Sequence, residues 1–338
     1  MSKTKIPKAR LDPADRARAN RQKRLAELRK RERLAPALAV YDEQIARLRS
    51  SGHSTPELEA LGSITGIFLE GYGVVQSQIA AAGKTGINAT NAVKRSAGTN
   101  YQGLVEYGII CWIDTTNLPL NVRCNAPKAM RDELTIHGVD ASGGTFSVEP
   151  DIDVCIWEED GPPKGPLLFL SAKTSLVDRA GQAARWKLYL DMHQTTCPHT
   201  KIVADCPIYR TRILVKTSHP IVHAITTANI YKMFSTQPEG ELRSGQCRNN
   251  TYMFRHKYTT RSDAQEYRPA DWVGLREITV LVQQTFAPVV APPMPVSPVV
   301  VTPLRGPVDA VLVPLAAESG PQPASTNGTQ LALVPSDK

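Results

Sequence analysis

The sequence predicts an α/β protein in which a mixed central sheet is flanked by helices and preceded by a helical N-terminal region. Three observations carry that expectation. Apolar residues recur at three- and four-residue spacing up to about residue 112, the period of helices that bury one face. Two short apolar runs, Val154-Cys155-Ile156 and Leu167-Leu168-Phe169-Leu170, then flank turn material rich in glycine and proline, which reads as a strand hairpin. After that hairpin, helical and strand-like segments alternate.

The chain has 338 residues, of which 41% are hydrophobic, enough for one large domain with appendages. No apolar stretch follows the first charges and none is long enough to span a bilayer, so a cytoplasmic protein without membrane contact is expected. The six cysteines form no C-x-x-C pair, and Cys111 and Cys155 sit in apolar runs, which fits reduced, buried thiols. The formal charge of +8 is unevenly placed, since residues 1–34 alone carry a balance of +9. These residues read as a basic, solvated helical arm, either a cation for DNA phosphates or a plain solvated tail.

Residues 35–85 read as a helical accessory region. Leu38, Tyr41, Ile45 and Leu48 mark one helix, and Ser54-Thr55-Pro56-Glu57 opens the next with a hydroxyl, a proline and an acid suited to a first turn. Gly71 and Gly73 predict a break in that helix. Lys84-Thr85 resembles the end of a phosphate loop, but Gln78 stands where its first glycine is needed, which excludes a nucleotide site. Residues 86–286 read as the main domain. A core helix runs from Gly98 to Trp112, residues 114–148 are turn-rich with a strand near Leu118 to Val122, and Ser142-Gly143-Gly144 turns into an acidic strand. Past the hairpin, Ser175-Leu176-Val177-Asp178 reads as a capping box for a helix to about Met192, Arg212 to Lys216 as a strand, Ile221 to Ile230 as a helix, and Ile230 to Phe234 as a strand. Gly245 to Arg276 reads as an irregular basic surface with interleaved aromatics, and residues 287–338 as a Pro-rich disordered tail.

The chemistry concentrates on the hairpin. Glu149, Asp151 and Asp153 alternate with apolar residues, so strand geometry puts all three acids on one face. Ser171 and Lys173, two apart at the end of the second strand, share a face as well. Pairing the strands sets a lysine beside carboxylates. Two carboxylate oxygens can hold a hard divalent cation such as Mg²⁺, while an ammonium can orient a water or stabilise charge on a phosphate. His193, Cys197, His199 and Cys206 have metal-compatible side chains, but their spacing matches no standard zinc module.

An acidic strand, a turn and a strand ending in x-x-Lys resembles the PD-(D/E)xK nuclease superfamily, and Lys173-Thr174-Ser175-Leu176-Val177-Asp178-Arg179 resembles a signature of some type II restriction endonucleases. The resemblance spans roughly residues 96–235. It implies a restriction-endonuclease-like sheet and Mg²⁺-dependent, sequence-specific cleavage of double-stranded DNA leaving 5′-phosphates. It further implies a homodimer, and a cognate DNA methyltransferase in the same system that is not a physical partner. In that reading Asp153, with Asp151 as first alternate, holds the metal with Glu149 nearby, and Lys173 activates the attacking water. Ser171 occupies the usual place of the second acid, for which Glu149, Asp151, Glu106 or Gln102 can substitute. Arg179, Gln182, Arg185 and Lys187, on the helix after Lys173, are the expected DNA contacts. A repair or junction-resolving nuclease of the same fold and a non-catalytic DNA-binding protein are the alternatives.

Overall fold

The computed structural model describes residues 12–83, 86–139, 142–159, 165–174, 180–194, 214–215, 217–228, 254–260 and 272–287. The Pro-rich tail from residue 288 on, the strand expected at Ile230 to Phe234, the capping box and Arg179, and the side chains of the His/Cys group lie outside them.

Five helices come first: α1 (Pro13–Arg29), α2 (Ala35–Ser50), α3 (Pro56–Gly62), α4 (Ile64–Ala81) and α5 (Gly86–Thr116). Strand β1 (Leu120–Cys124), helix α6 (Lys128–Leu134) and strands β2 (Ile136–Val139), β3 (Thr145–Val148), β4 (Val154–Glu158) and β5 (Leu167–Lys173) follow. Then come α7 (Ala180–Gln194), β6 (Leu214–Val215), β7 (Ile221–Thr227), β8 (Lys257–Thr259), β9 (Val273–Gly274) and α8 (Ile278–Phe286). The main sheet runs β1-β4-β5-β7-β8-β9. Its β1, β4 and β5 are antiparallel, whereas β5, β7, β8 and β9 are parallel. A smaller antiparallel sheet runs β3-β2-β6.

Helices cover both faces of the main sheet. Val154, Ile156, Leu168, Leu170 and Ala224 pack with Leu104, Val105 and Ile109 of α5 and with residues of α2 to α4. The other side chains of the same strands, Cys155, Leu167 and Phe169, meet Leu134 of α6 and Leu190 of α7. Strand alternation thus feeds two apolar layers at once. The expected α/β architecture with a mixed sheet, flanking helices and a helical N-terminal region is the one found.

Several elements differ from the sequence reading, each for a physical reason. Residues 221–227 form a strand, not a helix. With β5 and β8 on either side and helices above and below, this run is buried on both faces from His223 on, and a short segment buried on both faces carries no period that separates strand from helix. Helix α4 passes through Gly71 without breaking. A Cβ at Gly71 would lie 2.7 Å from the Ala37 Cα, so the glycine serves close approach of α2 rather than a turn. The stretch expected to be a basic loop contributes β8 and β9, and its Phe254, Tyr258 and Trp272 are buried. Residues 128–148 hold α6, β2 and β3, where only turns were expected.

Helix α1 is not solvated on all sides. Asp12 caps it by accepting from the Ala14 N–H at 2.8 Å, with Pro13 in the first turn. Its inner face carries Ala17, Leu25 and Leu28 together with two arginines. Arg21 is buried against Asp114 and the carbonyl oxygens of Leu118 and Leu120. Arg24 grips both oxygens of the fully buried Glu106, at 2.5 and 2.9 Å. Burial alone would pull the Arg24 guanidinium down, but the hydrogen bond and charge of Glu106 outweigh it and the net shift is upward. Part of the N-terminal positive charge therefore locks α1 to α5 and to the edge strand β1.

Candidate active site

Strand β4 begins at Val154, not at Glu149. Pro150 has no N–H to give a ladder, and its carbonyl accepts from Ile152 N at 3.0 Å, which turns the chain just before the strand. Ile152 consequently packs with Cys155 and not, as alternation required, with Val154 and Ile156. Glu149 leaves the expected acidic face and pairs with Arg131 at 3.6 Å. Asp151 and Asp153 remain where the turn delivers them, at the end of the β4–β5 ladder.

That ladder ends with Val154 opposite Leu170. Beyond it, Asp153 Oδ2 takes the Ala172 N–H at 2.8 Å, a side chain replacing the missing backbone partner. Lys173, the last residue of β5, brings its Nζ to 2.8 Å from Asp153 Oδ2 and 3.0 Å from Asp151 Oδ2. From α5, Gln102 donates Nε2 to the other oxygen of Asp153 at 2.5 Å. From α7, Gln182 donates Nε2 to Asp151 Oδ2 at 3.1 Å. Three elements, β5, α5 and α7, therefore converge on two carboxylates.

The two aspartates are not equivalent. The Asp153 side chain is 1% exposed and that of Asp151 is 39% exposed. Burial pushes the Asp153 carboxyl up to about 6; Lys173 pulls the other way, and the neighbouring Asp151 adds to the rise. The Lys173 side chain is only 5% exposed, and the two carboxylates supply the charge that lets an ammonium stay buried. Asp151, Lys173, Thr174 and Gln102 open on a cleft of about 230 Å³, whose helical wall also carries Arg95 and Thr99.

The other expected site residues are dispersed. Ser171 is buried and its Oγ shares a 2.9 Å hydrogen bond with His223 Nε2 on β7. Burial moves that imidazole down to about 3, so it is neutral. Glu106 is occupied by Arg24. On α7, Arg185 is exposed with its guanidinium 5.3 Å from the Trp186 ring centre, and Lys187 pairs with Asp191 at 2.7 Å. The sequence reading missed Arg95 and Thr99. Their spacing from Gln102, seven and three residues, places all three on one face of α5 and was the available signal.

A helix-flanked, six-stranded mixed sheet with a charged cluster at the mouth of its antiparallel hairpin is a restriction-endonuclease-like architecture. Residues 129–267 match the family model described as BsaWI restriction endonuclease type 2. The matched region is that of a type II restriction endonuclease, a site-specific deoxyribonuclease that acts on double-stranded DNA. It holds the whole hairpin, Asp151, Asp153 and Lys173, while Gln102 and Arg24 lie outside it. The chain matches no curated protein.

Proposed function

We propose that the cleft at the end of the β4–β5 hairpin is the cleavage centre of a Mg²⁺-dependent enzyme of the PD-(D/E)xK type, which hydrolyses DNA phosphodiesters to 5′-phosphate and 3′-hydroxyl ends. The observation that supports this best is the meeting of Lys173 Nζ with one oxygen of each aspartate. A position that already holds a cation between two carboxylates suits a hard divalent ion. Among the described residues no group of three or more His, Cys, Asp and Glu is placed to hold a metal. Mg²⁺ asks for less, binding through one or two carboxylates with water and substrate phosphate completing its shell. When bound, it would stabilise charge on the phosphate and lower the pKa of a coordinated water.

The protein groups divide the remaining tasks. Asp153, fixed by Gln102 and the Ala172 N–H, is the rigid ligand, and Asp151, open to the cleft, is the adjustable one. Glu149, 59% exposed and tied to Arg131, would reach such an ion only after letting Arg131 go. Lys173 orients the attacking water and offsets charge developing on the phosphate. Ser171 stands in the usual place of the second acid, and its hydroxyl is engaged by His223, leaving Asp151 to supply the second oxygen. Gln182 holds Asp151 from α7, while Arg179, Arg185 and Lys187 of the same segment contact DNA. The chain acts as a homodimer on a two-fold site, in a cytoplasmic system whose cognate methyltransferase protects the host sequence.

Plasmid DNA incubated with the purified protein and Mg²⁺ should give discrete fragments, and EDTA should abolish them. Lys173→Ala and Asp153→Asn should each lower the rate by at least about 10³-fold while still binding duplex. Absence of fragments from the wild type, or equal rates for both variants and wild type, would overturn the assignment.

A further inference from the structure

A second cleft, of about 340 Å³, lies next to the acid pair and is lined by five cations: Arg24, Arg31, Arg123, Lys128 and Arg131. Among the described residues, none of those lining it is a carboxylate. Nothing in the local sequence explains this, because the cations come from α1 and the turn after it, from β1, and from α6, about 100 residues apart. Bringing like charges together opposes folding unless something else fixes them. Arg24 is fixed by Glu106 and Arg131 is paired with Glu149, whereas Arg123 and Lys128 are exposed. Arg31 runs past Gly103 of α5, where a Cβ would be in ordinary contact with its Nη1 at 3.7 Å.

The cleft adjoins the proposed cleavage centre through two contacts. Cys124, on its floor, pairs with Val154 in the sheet, the residue after Asp153. The Cys124 thiol also donates to the Gln102 carbonyl oxygen at 3.4 Å, and the side chain of that same Gln102 holds Asp153. One strand of duplex carries a negative charge every ~3.4 Å along the axis, so a backbone seated at the aspartates carries neighbouring phosphates past the adjoining wall. We infer that this cleft, through Arg31, Arg123, Lys128 and Arg131, binds the DNA backbone beside the scissile phosphate. The assignment rests on the cleavage centre lying at Asp151, Asp153 and Lys173. It adds a sequence-independent grip, since phosphates carry no base identity.

The test is duplex binding by fluorescence anisotropy without metal, at several salt concentrations, for the full chain and for Arg123→Gln/Lys128→Gln. Both side chains are exposed, so the fold is retained. The double variant should bind about tenfold more weakly on any sequence, with the slope of log affinity against log salt shallower by about 2. The charge-matched Arg47→Gln/Arg276→Gln, which leaves the cleft intact, should stay within about twofold of wild type. Unchanged affinity and slope, or an equal loss in both double variants, overturns the cleft assignment. Because the readout needs no cleavage, a wild type that binds with this salt pattern yet cuts nothing would refute the cleavage centre and leave the cleft standing.

Discussion

At the scale of single residues, the site turns on the contrast between a sealed aspartate and an open one. Asp153 carries an ordinary value of 3.8 up to about 6, with burial the leading cause. The native state therefore keeps a proton between about pH 4 and 6 that the unfolded chain gives up. In that window this group's contribution to stability falls as pH rises, and above it the contribution is flat. Cation binding runs the other way, because only the ionised carboxylate offers its oxygens without first losing a proton. At limiting Mg²⁺, initial cleavage rates should rise about fivefold from pH 5 to 6 and about tenfold from pH 5 to 7, levelling off above about pH 7. A rate independent of pH between 5 and 7 would mean that Asp153 is already ionised or is not a ligand. Asp151, Asp153 and Lys173 were legible in the sequence because acids just before one strand of a hairpin and a lysine at the end of the other are brought to the same end by the pairing of the strands. Glu149 was not: parity fails where Pro150 interrupts the strand, and Arg131 comes from a helix that the turn-rich composition of residues 114–148 concealed.

Among the elements, α1 shows how far a reading of charge alone can mislead. Thirteen basic residues within the first 34 describe a solvated arm, yet Arg21 and Arg24 are buried ties whose acids, Asp114 and Glu106, lie more than 80 residues away. Composition cannot announce a pair at that separation. Glu106 itself looked like a solvent-facing or metal-adjacent residue of α5. Its partner makes it structural, with a testable consequence. Glu106→Gln leaves the buried guanidinium with only the more exposed Glu27 as counter-charge and should destabilise the protein by about 3 kcal/mol in urea unfolding. Removing both charges in Arg24→Met/Glu106→Leu should restore most of that loss, since the desolvation cost of the pair disappears with it. A single variant as stable as wild type would show that the bidentate pair contributes nothing. The hairpin and the amphipathic helices were readable because their periods are local. Strand β7 was not, because its signature arises only once it lies between β5 and β8 with both faces covered.

The whole molecule poses a problem of symmetry. One chain holds a single Asp151, Asp153 and Lys173 cluster, and if that cluster is the proposed cleavage centre it can act on only one strand of an antiparallel duplex at a time. Cutting both strands in a single encounter therefore calls for a second centre, which a two-fold dimer on a two-fold site supplies. Mixing distinguishes this from two successive visits by one subunit. If wild-type protein exchanges subunits with a tenfold excess of Lys173→Ala, most wild-type chains are paired with an inactive partner, and each mixed dimer cuts only its own strand. Supercoiled plasmid should then accumulate as the nicked, open-circular form, where the wild type alone gives linear product. Independent subunits would instead pass through the nicked form with or without the variant, and the variant would leave the ratio of nicked to linear product unchanged, slowing both steps only in proportion to competition for sites. The basic cleft sharpens that expectation, because an inactive subunit whose Arg123 and Lys128 are intact should still hold its half of the duplex and keep the mixed dimer on the DNA while the first strand is cut.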